Sequence, residues 1–133
     1  MPWDSSLLGG FTTGQPWLPM GEANLAVNVE TSQRNSDSML ARYRRLFSLR
    51  RAERVLVSGQ LTEVSASNGV LQFVRSDGKQ RFRVMLNLGD QAQRLAVEQG
   101  TIVACTDLHR DGELVDRSLH LQPAEALIVR LVG

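Results

Sequence analysis

Residues Ser36–Arg54, SDSMLARYRRLFSLRRAER, decide how the rest of the chain is read. At about 100° per residue, Met39, Leu40, Tyr43, Leu46 and Phe47 fall within one arc roughly 120° wide. Arg42, Arg44, Arg45 and Arg51 lie outside that arc, so the spacing predicts a basic amphipathic helix over residues 36–54. Arg50 and Arg54 project into the arc, and an arginine aimed at a core needs a carboxylate or carbonyls to satisfy it. Asn35, Ser36 and Asp37 are the N-cap candidates, with Asp37 as the acid that a helix dipole favours in the first turn. Such a helix has to cover something apolar.

On its N-terminal side the chain reads as irregular over residues 1–35. Met1–Gln33 holds both tryptophans, three of the four prolines and four of the eleven glycines, with no sustained period of 3.6 or 2. Trp3, Phe11, Trp17 and Leu18 alternate with turn residues, which suits a fixed path whose large side chains dock onto a surface. A loop of this length is functional or disordered, and the aromatics favour function.

On its C-terminal side, residues 55–133 read as about seven short strands: Gln60–Val64, Val70–Arg75, Arg81–Asn87, Arg94–Val97, Thr101–Thr106, Ser118–Leu121 and Ala124–Leu131. Turn signals separate them at Ser65–Gly69, Ser76–Lys79, Glu98–Gly100, His109–Gly112 and Gln122–Pro123. Closely spaced strands without intervening helices predict an antiparallel Greek-key β-sandwich, making the chain mainly β.

Composition narrows the function classes. The 133 residues carry a net charge of +1, which gives no global electrostatic case for nucleic acid or an anionic membrane. Cys105 is the single cysteine and has no internal disulfide partner, so nothing suggests an oxidising compartment. No apolar run approaches the roughly 18 residues of a membrane span. The start of the chain lacks the basic and apolar regions of a secretion signal, and a cytoplasmic location is the expectation.

Candidate chemistry is sparse. His109, Asp111 and Glu113 lie together in LHRDGE, but Asp111-Gly112 is a turn dipeptide and a zinc site needs ligands converging from fixed elements. A solvated hairpin turn is the preferred reading. His120 alternates within a strand and reads as a surface residue, and Cys105 in TIVACT reads as a buried, inert thiol. The glycines of GGFTTG lack the lysine and the strand-to-helix setting of a phosphate loop. The arginines of YRRLFSLRRAER lie far apart around the axis without interleaved aromatics, which disfavours nucleic acid. No residue here qualifies as catalytic, cofactor-binding or metal-binding, and no cofactor is expected.

Four motifs in order nevertheless resemble one family. MPWD (Met1–Asp4), GGFTTGQPWLP (Gly9–Pro19), NVE (Asn28–Glu30) and DSMLARYRRLFSLRR (Asp37–Arg51) resemble the last barrel segment of glycoside hydrolase family 13. The likeness is greatest to bacterial α-glucosidases and oligo-1,6-glucosidases, with their sucrose-isomerising relatives. GVLQFVRSDGKQRFRVMLNLGD (Gly69–Asp90) resembles the N-x-x-D region of that group's terminal β domain, and LHLQPAEALIVRL (Leu119–Leu131) resembles its P-x-E-A strand.

The resemblance implies the C-terminal quarter of a longer enzyme: the loop after the eighth barrel strand over 1–35, the eighth barrel helix over 36–54, and a terminal sandwich over 55–133. The family's catalytic aspartate, acid/base glutamate and second aspartate would all lie upstream of MPWD. The implied partners are therefore the missing catalytic barrel and, through an uncovered Tyr43/Leu46/Phe47 face, a second copy of the chain; oligosaccharide would be a substrate of the parent alone. Nucleic acid and membrane are not expected partners. Glu125 is the expected partner of Arg50. The rival reading is a free-standing interaction or sugar-binding module, against which the sandwich half offers only Phe73 and Phe82 for stacking.

Overall fold

A computed structural model describes residues 1–133, the side chains of Glu22 and Asn24 apart. The chain forms two compact units, Met1–Ser48 and Leu49–Gly133.

In the first unit the irregular stretch contains two short helices, α1 (Glu22–Ala26) and α2 (Val29–Arg34). At five and six residues they are too short to show a helical period, which is why pattern reading passes over them. Their signature is local. The Asn28 side chain accepts from the Thr31 amide at 2.8 Å while the Thr31 hydroxyl accepts from the Asn28 amide at 3.3 Å, a reciprocal cap on α2. The Asn28 side-chain amide also donates to the Leu25 carbonyl at 2.7 Å, which joins the two helices. The next free amides of α2, those of Val29 and Glu30, donate at 3.0 Å to the carbonyls of Pro2 and Trp3.

The long helix α3 spans Met39–Ala52, shorter at both ends than the 36–54 expected. Its cap is Ser38, whose hydroxyl accepts from the Ala41 amide at 3.2 Å, and not Asn35, Ser36 or Asp37. Asp37 instead lies outside the first turn, 3.5 Å from the Arg42 guanidinium. At the other end the chain leaves α3 at Glu53 and makes a separate single turn, α4 (Val55–Ser58). No residue of α3 is buried: Met39, Tyr43, Leu46 and Phe47 are all exposed, and so are Arg50 and Arg54.

The second unit is mainly antiparallel β. A six-stranded sheet runs in the order β1 (Gln60–Ser67), β2 (Val70–Ser76), β3 (Arg81–Asn87), β8 (Ala126–Leu131), β5 (Gly100–Cys105), β6 (Leu114–Val115). Strands β4 (Gln93–Ala96) and β7 (Ser118–Leu121) pair separately. Eight strands replace the seven expected, because the two-residue β6 is too short to alternate visibly. The first turn is also tighter than expected. It sits at Asn68-Gly69, with φ of 50° and 78°, the pair of positive values that a two-residue hairpin of this hand requires.

Both sheets contribute to one core. Met85, Ile102, Leu127, Val129 and Leu131 from the large sheet meet Leu119 and Leu121 of β7. Phe82 is fully buried, with the Arg130 guanidinium 5.3 Å from its ring centre; Arg130 in turn pairs with Glu53. At Gly100 a side chain has no room, since a Cβ there would lie 2.4 Å from the Arg130 carbonyl oxygen.

Candidate functional site

The first unit opens on a loop that folds on itself through short-range bonds. The Trp3 amide donates to the Gly9 carbonyl at 2.7 Å and the Gly9 amide to the Ser6 carbonyl at 2.8 Å. Asp4 accepts from the Ser6 amide at 2.9 Å and its hydroxyl at 2.5 Å, an Asx turn of the kind Asp favours. Those bonds, the hydroxyl's first, hold the Asp4 carboxyl below the usual carboxylate range. Pro2 and Gly9 are buried.

The large side chains are not. Trp3, Phe11 and Leu18 are more than half exposed and Trp17 is 91% exposed, so the docking expected of them is not made by any described residue of this chain. Beside them, Val27, Val29, Met39, Leu40 and Tyr43 line an apolar groove closed at one end by Met1. Tyr43 also tilts against Phe47, ring centres 5.9 Å apart. Apolar surface of this extent in one small unit marks a contact site.

The second unit concentrates its buried polar groups at one place. Glu125, 4% exposed, accepts from the Gln122 amide at 2.6 Å, from the Arg110 guanidinium at 2.8 Å and from the Cys105 thiol at 3.1 Å. Arg110 also grips Glu113 at 2.8 and 3.1 Å and donates to the His120 carbonyl at 2.9 Å. Asn87, 1% exposed, donates from its side chain to the carbonyls of Gln91 and Gln122 at 2.8 and 2.9 Å and accepts from the Gly89 amide at 3.1 Å. The Asn87 amide donates to the Glu125 carbonyl at 2.8 Å. The N-x-x-D and P-x-E-A motifs, 38 residues apart by their Asn and Glu numbers, thus converge on one junction.

This corrects one expectation. Glu125 does pair with an arginine, but the arginine is Arg110; Arg50 stands exposed. The physical reason is solvation. A carboxylate buried this far needs a cation whose stem can also be buried, and Arg110, with its side chain 17% exposed, meets that need while Arg50 does not. A buried Glu in the P-x-E-A turn was the signal for Arg110, but periodicity could not rank it above the other arginines.

The LHRDGE residues are separated in role. Leu108–Arg110 forms a 3-10 turn capped by Asp107, His109 is exposed, and Glu113 is held by Arg110. Asp111 follows the turn, partly exposed. Among the described residues no group of three His, Cys, Asp or Glu side chains is arranged to hold a metal ion. His120 lies exposed on β7. Cys105 is buried, and burial, reinforced by the Glu125 carboxylate, pushes its thiol up to about 11. Such a thiol stays protonated and donates a hydrogen bond. Every polar contact of Glu125, Asn87 and Arg110 closes back on the protein, so the junction fixes the fold and presents no group to a substrate.

Comparison with known proteins locates these features. Residues 1–59 match the alpha-amylase catalytic domain. The glucan 1,6-alpha-glucosidase of Streptococcus pneumoniae is 31% identical over 132 residues, 99% of this chain and 24% of that protein. The oligo-1,6-glucosidase of Bacillus cereus is 31% identical over 88 residues, 65% of this chain and 16% of that protein. The isomaltulose synthase of Klebsiella sp. LX3 superposes with a TM-score of 0.85 at 26% identity, covering 98% of this chain and 24% of that one. The chain spans 24% of the length of the first of these relatives. No helix among the described residues is long and apolar enough to cross a membrane.

Proposed function

The chain belongs to the alpha-amylase family, glycoside hydrolase family 13, and from that premise we propose that it is the non-catalytic C-terminal part of an α-glucosidase. The whole enzyme hydrolyses α-glucosidic bonds of oligosaccharides in the cytoplasm by the retaining route, through a covalent glycosyl intermediate formed on an aspartate. The carboxylates of that reaction lie upstream. Residues 1–35 supply the last βα-loop at the mouth of the pocket, where barrels of this kind place their active sites. Helix α3 supplies the eighth barrel helix, and residues 55–133 supply a Greek-key sandwich that supports the barrel from outside. The insertion of β8 between β3 and β5 favours that linkage.

The observation that carries this reading is the contrast between the matched half and the rest. The alpha-amylase match ends at residue 59, and of the buried apolar side chains only Val55 lies inside it. A segment rich in tryptophan and phenylalanine that buries almost none of them is built to be completed by further protein. The missing partner is the catalytic barrel. In its absence the Tyr43/Leu46/Phe47 face pairs with a second copy.

The test is to assay the purified chain on p-nitrophenyl α-glucoside, alone and mixed with a separately expressed upstream barrel. No glucose release alone, with release on mixing, is expected. Release by the chain alone, abolished by substituting one of its own acids, overturns the reading.

A second reading, a sugar-binding module, draws on Trp17, which at 91% exposed offers a free indole face. The β unit gives it no platform, because Phe82 is buried beneath Arg130 and Phe73 is half-buried. Titration with maltose, followed by Trp17 fluorescence, separates the two readings: a saturable change favours the module.

A further inference from the structure

Strand β1 ends the large sheet. It pairs only with β2, all eight of its residues are exposed, and Leu61 and Val64 are more than half so. The opposite edge, β6, is two residues long and too short to template another strand. In sequence β1 is QLTEVSAS, with Glu63 its one charge. An exposed edge of low charge with β-branched residues is a site for pairing with another chain.

Two features converge on that single charge. The register of β1 against β2 slips between Thr62, opposite Val74, and Ser65, opposite Gln72. Glu63 and Val64 therefore share one partner, Phe73, which is a β-bulge. Glu63 takes φ of 53° within it, a left-handed conformation that bulges usually give to glycine. A glutamate there needs a compensating contact, and it has one. Its carboxylate receives Arg81 at 2.9 Å and Arg83 at 2.6 Å, both from β3, across the width of β2. The same two guanidiniums hold Glu98, at 2.7 and 3.0 Å, from the turn before β5. The side chain of Arg83 is 12% exposed, so this four-membered ring is better shielded from water than an isolated surface pair.

We propose that Glu63 closes the β1 edge to a second copy of this chain: the bulge breaks the straight ladder that a second β1 would need, and the clamp to Arg81 and Arg83 keeps the bulge in place. Without Glu63, β1 presents a regular, uncharged strand and two copies pair edge to edge.

The test compares the full chain with two variants, reading amide hydrogen exchange along β1 at low and high protein concentration. Deleting Glu63 restores one-to-one register with β2; β1 amides then gain tenfold or greater protection at high concentration only, and no other strand does. Glu63→Gly keeps a residue suited to the bulge but removes charge and clamp; β1 exchanges at least tenfold faster than in the parent at low concentration. A deletion variant that keeps the parent's circular dichroism and shows no concentration-dependent protection of β1 overturns the proposal. So does a Glu63→Gly variant whose β1 exchanges more slowly than the parent's, since strain relief would then outweigh the clamp.

Discussion

The two units spend similar amino acids in opposite ways. Met1–Ser48 contains Trp3, Phe11, Trp17, Met39, Tyr43 and Phe47, and all six are more than half exposed. Leu49–Gly133 has smaller side chains, chiefly valine, leucine and isoleucine, and it holds every buried apolar residue of the described chain. Apolar content therefore does not measure how complete a core is. The difference lies in what surrounds each side chain: strands bring valine and leucine from two sheets into mutual contact, whereas short helices and turns hold aromatics outward. One unit satisfies itself; the other is shaped to be satisfied.

The comparison can be broken experimentally, most sharply where the second unit is densest. Phe82→Ala should cost about 3–5 kcal/mol in urea unfolding, because a fully buried ring leaves a cavity. A cost near zero would mean that the β unit is as loosely filled as the first.

Next in size is the junction. Arg110→Met strands Glu125 with a buried charge, and a loss of about 2–4 kcal/mol is expected. Arg50→Met should change stability by less than about 0.5 kcal/mol, as exposed substitutions do. A double-mutant cycle should find coupling between Arg110 and Glu125 and none between Arg50 and Glu125.

Gly100→Ala should cost about 1–3 kcal/mol, since the added methyl meets the Arg130 carbonyl and cannot be relieved by a rotamer change. Cys105 extends the comparison to pH. Its thiol is raised in the folded chain to about 11, so the unfolded chain gives up that proton first. The stability this contributes is present in full below the unfolded thiol's ordinary range and is lost as pH rises through about 11. Alkylation of native Cys105 should accordingly wait on unfolding at neutral pH, as a lag before labelling in mass spectra.

The smallest expected effect lies in the first unit. Leu46→Ser and Phe47→Ser together should leave the unfolding midpoint within about 0.5 kcal/mol of the parent while reducing hydrophobic-dye binding and any concentration-dependent association. A large loss of stability would show that this face is already part of a core.

Much of the β unit was legible from alternation alone. Val70–Ser76 and Arg81–Asn87 stand where Val-x-x-Phe and Phe-x-Val-Met spacing places them, and Asp77-Gly78 turns between them with Asp77 accepting from the amides of Lys79 and Gln80. What stayed hidden was either too short or too distant. Helices α1 and α2 have too few residues for a period, although the Asn28–Thr31 pair announces the second. The choice of Arg110 over Arg50 depends on where β5, β7 and β8 meet in space, which no local pattern encodes. The helix was read correctly in kind, but its cap fell on Ser38 because Asn35 is occupied by the Asp37 amide at 2.9 Å. At the candidate site, sequence named the aromatic loop, and only the structure reveals that its rings find nothing to rest on within this chain.

The knot at Asn87, Gln122 and Glu125 has a practical side for anyone wishing to build on this scaffold. Lengthening the Gln122–Ala124 corner would pull apart bonds from three directions at once, so affinity tags, fluorophores or grafted peptides placed there should abolish expression. The tip at Gly78, where nothing lies within 4 Å of an added side chain, is the natural point for such an insertion.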